Sequence, residues 1–132
     1  MKHDWGEYYF SFDVGKQFRN LYTKGTKLNE KFTKYWEKLA ETFKGNPWVI
    51  AYEFINEPFV GRALSQPYLL LPSIAERVYF QSFYDELTQR IRKIDSETPI
   101  CFEPITFDQS FPIGINFLII FLGFSHPPGG FS

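Results

Sequence analysis

The sequence predicts an α/β protein, and the order of elements in its middle carries that prediction. An almost continuously apolar segment at 48–55 is typical of a strand covered on both faces, and a second strand is predicted at 99–105. A helix between them, from Ser73 to about Asp95, completes a strand–helix–strand unit. Such a unit implies parallel strands and a right-handed crossover. A helix before the first strand continues the same alternation.

The elements before that unit are predicted from apolar spacing. Residues 1–27 are aromatic and are predicted to form loops, with Gly15 among their punctuating residues. Apolar residues then recur at spacings of three and four, which predicts a helix from Leu28 that is stopped by Gly45 and Pro47. Its predicted buried stripe comprises Leu28, Phe32, Tyr35, Trp36, Leu39 and Phe43.

The second helix begins with a sequence that fits a capping box, Ser73 to Glu76. Its predicted buried stripe comprises Val78, Phe83, Tyr84, Leu87, Ile91 and Ile94. A third strand is possible at 117–122. Two or three strands cannot cover both faces of the apolar strand at 48–55, so the sequence looks like part of a larger sheet.

Composition excludes several classes of protein. The 132 residues carry a net charge of −1, which argues against nucleic acid as the main partner. The single cysteine, Cys101, excludes a disulfide framework and a cysteine-based zinc site, and two histidines argue against a histidine-rich metal site. The most apolar run, 113–124, is shorter than the roughly 20 residues of a membrane-spanning helix, so no transmembrane segment is predicted.

Two glutamates follow the predicted strands at the ends where α/β folds gather functional groups. Glu57 follows the strand at 48–55 and Glu103 lies near the end of the strand at 99–105. Glycoside hydrolysis uses a pair of carboxyl groups, about 5–5.5 Å apart in retaining enzymes. The adjacent Asn56 would suit a sugar hydroxyl. By itself, Asn-Glu-Pro favours a solvated strand end. Its position at the end of a buried strand makes the catalytic interpretation equally consistent with the sequence.

Longer motifs are more specific. They are FKGNPWVIAYEFINEP at 43–58, QSFYDELTQRIRKID at 81–95 and FEPITFD at 102–108. Together with NLY at 20–22 and the Gly- and Pro-rich segment 123–130, these motifs resemble glycoside hydrolase family 5. That family has cellulase-like (β/α)8 TIM barrels, and the likeness is to its endoglycoceramidase-related branch. The resemblance implies that the chain is a single, incomplete barrel domain, roughly from helix 3 to strand 5 or 6.

The resemblance also implies a reaction. Glu57 would be the general acid/base and Asn56 its substrate-binding neighbour, in retaining cleavage of the bond between oligosaccharide and ceramide in glycosphingolipids. No metal or organic cofactor is expected. By their positions, Phe59 is predicted to contact the substrate, Glu103 to line the site or support it, and Glu53 to point into the barrel below the site. The family's nucleophile is a glutamate on strand 7, which would lie beyond this sequence, so the chain alone is expected to be inactive.

Two other interpretations remain open. The chain could be a noncatalytic remnant of the same fold that binds glycan or lipid, or an interaction module in which Asn-Glu-Pro is incidental. The extended likeness argues against the second, and the missing nucleophile keeps the first open. The resemblance suggests a secreted or lysosomal setting, although no signal peptide is predicted within the sequence. The oligomeric state is left open.

Overall fold

The computed structural model of the protein describes residues 5–71, 74–103 and 105. The two strands are parallel, with Tyr52 opposite Ile100 and Glu53 opposite Cys101, which confirms the predicted strand–helix–strand unit. In chain order the elements are α1 (Trp5–Tyr9), α2 (Phe12–Tyr22), α3 (Lys27–Phe43), β1 (Tyr52–Glu53), a 3₁₀ turn (Pro67–Leu70), a π-helical turn (Glu76–Phe80), α4 (Gln81–Arg92) and β2 (Ile100–Cys101).

The N-terminal part is helical, so the prediction of loops over 1–27 was wrong for α1 and α2. The hydroxyl of Ser11 caps α2 by accepting a hydrogen bond from the amide of Val14 at 3.3 Å. Tyr22, at the other end of α2, is buried in the core. The glycine that suggested a loop, Gly15, lies inside α2 because another segment of backbone passes close to it.

Helix α3 confirms the predicted start and stop. Thr26 caps it through the amide of Asn29, and Gly45 follows its end with a left-handed φ of 72°. The predicted stripe was wrong in part, because Leu28, Tyr35 and Phe43 are exposed. The buried face instead comprises Asn29, Thr33, Trp36 and Ala40. Burial of the two polar residues is possible because each donates to a main-chain carbonyl, of Leu21 and Asn29 respectively.

Both strands are shorter than predicted. Trp48 belongs to a turn after α3, in which its amide donates to the side-chain oxygen of Asn46 at 3.0 Å. The side chains of Trp48 and Ile50 are 89% and 86% exposed, so the predicted strand over 48–55 is not covered on both faces. Pairing with the second strand begins where the amide of Tyr52 donates to the carbonyl of Pro99 at 2.8 Å.

The helix before β2 contains a π-helical turn that sequence periodicity did not predict. Because that turn holds more residues than an α-helical turn, Ala75 and Phe80 both face the core. Val78 lies on the opposite side and is exposed, so its place in the predicted stripe was wrong. The rest of the stripe is confirmed: Phe83, Leu87 and Ile91 are buried, and Tyr84 and Ile94 are partly buried.

Two predicted features lie outside the described residues: the Ser73 cap and the third strand at 117–122. Among the residues that are described, no helix combines the length and apolar character needed to cross a bilayer.

Aromatic side chains form most of the core between the helices and the strands. The ring of Tyr22 lies 4.5 Å from that of Phe80 and 5.3 Å from that of Phe83, which joins α2 to the helix before β2. The ring of Trp36 lies 5.1 Å from that of Phe54, which joins α3 to the segment after β1. Such pairs add to the free energy of burial. Packing within the fold therefore accounts for much of the aromatic content.

A buried aspartate closes the turn between α4 and β2. The carboxylate of Asp95 accepts hydrogen bonds from the amides of Glu97 and Thr98, both at 3.0 Å. It also accepts from the hydroxyls of Thr98 and Tyr52, at 2.6 and 2.9 Å, which ties the turn to β1. Burial alone would raise the pKa of Asp95, but these hydrogen bonds outweigh it and lower the pKa from 3.8 to about 2.

We therefore expect Asp95→Asn to lower the free energy of unfolding at pH 7 by on the order of 2 kcal/mol. Because the folded-state pKa is depressed, this contribution is complete above the unfolded-state pKa and disappears as the pH falls through about 2. Urea unfolding of both proteins between pH 7 and pH 2 tests this, with Asp85→Asn, at an exposed position on α4, as control. A difference between wild type and Asp95→Asn that is independent of pH would contradict the assignment.

Two backbone segments touch where α2 meets the loop after β1. A Cβ on Gly15 would lie 2.6 Å from the amide nitrogen of Arg62, and a Cβ on Gly61 would lie 2.5 Å from the carbonyl oxygen of Gly15. Real Cβ atoms essentially never come so close to backbone atoms, so both glycines are required by the contact. This contact fixes the loop that follows Glu57.

Gly15→Ala should destabilise the chain by about 1–3 kcal/mol because the new methyl group forces the loop away. Helix propensity alone predicts the opposite sign, a gain of about 0.5–1 kcal/mol. Gly6→Ala is the matched control, since Gly6 lies in α1 with open space around its Cβ position. Thermal or urea unfolding measures both, and an equal or higher stability of Gly15→Ala would disprove the close approach.

Candidate active site

Asn56 and Glu57 form an exposed polar pair between buried neighbours. They follow β1 in a bend, and both side chains are exposed. Phe54 before them and Pro58 after them are buried. The backbone is thus fixed on both sides while the amide and carboxyl groups face outward, at the C-terminal end of a parallel strand as predicted.

The main chain at Glu57 is in the left-handed region, with φ at 44°. For a residue other than glycine this costs roughly 1–2 kcal/mol. The amide of Glu57 donates a hydrogen bond to Oε2 of Glu103 at 2.5 Å. A hydrogen bond to a charged group contributes about 1.5–3 kcal/mol, and less where it is exposed. The two magnitudes are similar, so this hydrogen bond offsets the backbone strain.

Glu103 is half-buried, and its main chain is anchored by a hydrogen bond from Tyr84. The hydroxyl of Tyr84 donates to the carbonyl oxygen of Glu103 at 3.1 Å, and the ring of Tyr84 lies 4.9 Å from that of Phe102. The pKa of Tyr84 is raised, mainly by burial and then by the charge of Glu103, so the phenol is a neutral donor. Helix α4 therefore positions Glu103 relative to Glu57.

Glu53 is the third carboxyl group in this cluster. Its side chain is exposed and hydrogen-bonds that of Glu103. The pKa of Glu53 is raised, first by this hydrogen bond, then by burial and by the charge of Glu103. Its partner, Glu103, follows β2.

Phe59 anchors the loop after Glu57 by packing into the aromatic core. Its side chain is 1% exposed, and its ring lies 5.3–5.8 Å from the rings of Tyr9, Phe10 and Phe18. Its carbonyl oxygen accepts a hydrogen bond from the hydroxyl of Tyr22 at 2.8 Å. In this conformation almost no ring surface is available to a sugar, so the contact of Phe59 with substrate stays a prediction.

The structure thus brings three of the four predicted site residues to one edge, Asn56, Glu57 and Glu103, with Phe59 packed behind them. Sequence analysis missed Tyr84 and the contact of Glu53 with Glu103. The shared side of alternate residues was a signal for Glu53, but only the strand register reveals its neighbour. Within the described ranges, no group of three or more His, Cys, Asp or Glu side chains is arranged to hold a metal ion.

Comparison with known proteins identifies a matching family model and two relatives. The family model "Cellulase (glycosyl hydrolase family 5)" matches residues 3–114. The endoglycoceramidase of Hydra vulgaris is 39% identical over 129 residues, covering 98% of this chain and 23% of the relative. That of Cyanea nozakii is 36% identical over 129 residues, covering 98% of this chain and 24% of the relative. The chain thus spans about a quarter of the length of these relatives.

Solved structures of one related enzyme are also similar to this chain. Endo-glycoceramidase II from Rhodococcus sp., in a complex with a cellobiose-like imidazole, superposes with a TM-score of 0.65 at 30% identity, covering 80% of this chain and 23% of the other. The same enzyme in its ganglioside GM3 complex has a TM-score of 0.61 at 30% identity, covering 80% and 22%. The fold is therefore part of a (β/α)8 barrel.

The backbone strain at Glu57 gives a test that is independent of chemistry. Glu57→Ala and Glu57→Gly both remove the carboxyl group, but only glycine adopts a positive φ without strain. We expect the glycine variant to be more stable than the alanine variant by about 1 kcal/mol in urea unfolding. The same pair at Glu41, inside α3, should give the reverse order by about 1 kcal/mol. If the glycine variant were less stable than the alanine variant at both positions, Glu57 would not be held in the left-handed region.

Proposed function

Because the chain belongs to glycosyl hydrolase family 5, the cellulase family, we propose that it supplies the acid/base half of a retaining glycosidase site. Glu57 is the general acid/base and Asn56 its substrate-binding neighbour. The observation that carries this proposal is the exposed carboxyl group of Glu57 on a fixed backbone, at the C-terminal end of a parallel strand. General acid/base catalysis requires such a group to be held within reach of the reacting oxygen.

The proposed reaction has two steps. In the first, a carboxylate nucleophile attacks the anomeric carbon while Glu57 donates its proton to the glycosidic oxygen, which leaves as the hydroxyl of the lipid. In the second, Glu57, now ionised, takes a proton from water as that water attacks the anomeric carbon and releases the sugar with retained configuration. Asn56 would hydrogen-bond a sugar hydroxyl more strongly in the transition state than in the ground state.

The relatives suggest the substrate class. Two matched proteins are endoglycoceramidases, and a structural relative is described in complex with ganglioside GM3. We therefore propose a glycosphingolipid as substrate, cleaved between its oligosaccharide and ceramide. Glu103 lines the edge of the site beside Glu57.

The nucleophile is proposed to come from outside residues 1–132. Glu103 is the carboxyl group adjoining Glu57, but its side chain already accepts from the amide of Glu57 and hydrogen-bonds Glu53. We therefore propose that the chain is one piece of a single barrel domain and that residues 1–132 alone do not turn over a glycosphingolipid.

The test is Glu57→Gln in the natural polypeptide that contains this sequence, with release of oligosaccharide from a fluorescent ganglioside as the measurement. We expect kcat/KM to fall by about 10²–10⁴-fold, because glutamine cannot donate or accept the proton. With a glycosyl fluoride, whose leaving group needs no proton, the first step should be far less affected.

Glu41→Gln, at an exposed position on α3, is the matched control and should retain wild-type kcat/KM. Wild-type turnover of the ganglioside by Glu57→Gln would contradict the role of Glu57. A natural protein that binds the ganglioside but releases no sugar would favour the noncatalytic alternative. Turnover by residues 1–132 alone would show that the nucleophile lies within them.

A further inference from the structure

Glu53 and Glu103 lie on the face of the two strands that points away from the helices. Glu53 is opposite Cys101 in the parallel register, and Glu103 follows two residues later, so the side chains of all three share one face. The opposite face carries Tyr52 and Phe54, which are buried against the helices. The strand register therefore brings the carboxyl groups of Glu53 and Glu103 together.

The two carboxyl groups hydrogen-bond each other, and such a bond needs one proton between them. The raised pKa of Glu53, caused first by this hydrogen bond, favours the proton on Glu53. Glu103 is then the acceptor twice: from the carboxylic acid of Glu53, and from the amide of Glu57 at 2.5 Å. The second bond fixes the main chain of Glu57 at its left-handed φ of 44°.

We propose that Glu53 and Glu103 form a proton-sharing carboxyl pair that positions Glu57. Protonated Glu53 orients ionised Glu103, and Glu103 holds the amide of Glu57, so that the carboxyl group of Glu57 projects from one fixed backbone conformation. Glu53 and Glu103 are positioning residues that act through the main chain. This inference rests on the proposed function of Glu57 and adds a pH-sensitive support beneath it.

The raised pKa of Glu53 determines whether the carboxyl pair forms at low or at high pH. Because the pKa of Glu53 is raised, the shared proton is present at acidic pH and is lost as the pH rises through that pKa. Within the part of the chain that the structure describes, the other titratable groups beside the pair are Cys101 on the same face, Glu57 through its amide, and Tyr84 through its hydrogen bond to the main chain of Glu103. None of these three side chains can become a cation. Above that pH two carboxylates repel each other, and the support of Glu57 weakens.

The experiment is an NMR titration of the labelled chain that follows the ¹⁵N–¹H amide of Glu57 and the side-chain ¹³C of Glu53. We expect both to change in the same pH step, above the range of an ordinary glutamate. Independent steps, or an ordinary titration of Glu53, would overturn the proposal in the wild-type chain without any substitution.

Variants separate the members of the pair. In Glu53→Gln the side-chain amide donates to Glu103 at every pH, so the step seen by the Glu57 amide should move to lower pH. In Glu103→Gln that step should disappear. Glu41→Gln should leave it unchanged, and dispersed spectra confirm folding, which is expected because Glu53 is exposed. A Glu57 amide that titrates identically in wild type and Glu53→Gln would refute the pair.

Kinetics of the natural polypeptide distinguish this inference from the proposed function. Glu53→Gln should shift the pH profile of kcat for a ganglioside while leaving KM nearly unchanged, because the pair acts through the position of Glu57. If the NMR step is found but Glu57→Gln retains full turnover, the proposed function fails and the pair stands as a structural feature only. If Glu57→Gln is inactive but Glu53→Gln changes neither the NMR step nor the pH profile, the pair fails alone.

Discussion

The register between β1 and β2 is the constraint on which the site depends. Tyr52 lies opposite Ile100, and this pairing decides that Glu53 and Glu103 share a face. A slip of one residue would turn Glu53 toward the helices and separate the carboxyl groups. Two paired residues on each strand cannot hold a register by themselves. Asp95 fixes one end through Tyr52, and the rings of Phe54, Tyr84 and Phe102 fix the other.

Alternate residues of the two strands face opposite sides, so apolar side chains pack against the helices while the carboxyl groups lie on the other face. Side chains on the helix side are apolar and aromatic and bury most of their surface, as Phe54 and Ile100 do. Side chains on the other side are Glu53, Cys101 and Glu103, which are exposed or half-buried. In a complete (β/α)8 barrel this second face lines the interior, where side chains from other strands pack against it. The exposure of Glu53 is thus a property of a partial barrel.

Sequence reasoning succeeded where one local pattern decides the structure. The start of α3 near Leu28, the stop at Gly45 and the parallel order of the strands follow from apolar spacing, local chemistry and chain order. It failed where distant contacts decide. Gly15 reads as a loop residue until the loop at Arg62 is seen against it, and the π-helical turn has no periodic signature in the sequence. The proposed role of Glu57 came from an extended motif, whereas the hydrogen bond from its amide to Glu103 is visible only in the structure.

The same carboxyl chemistry takes opposite roles in this fold because the hydrogen bonds differ. Asp95 is buried, its carboxylate accepts hydrogen bonds from two amides and two hydroxyls, and its pKa of about 2 keeps it ionised. A group held in this way stabilises a turn but cannot donate a proton at neutral pH. Glu53 meets another carboxyl group instead, so its pKa moves in the opposite direction. At Glu57 the hydrogen bond to Glu103 is made by the backbone amide, so the constraint falls on the main chain and the carboxyl group remains exposed, as its proposed acid/base role requires.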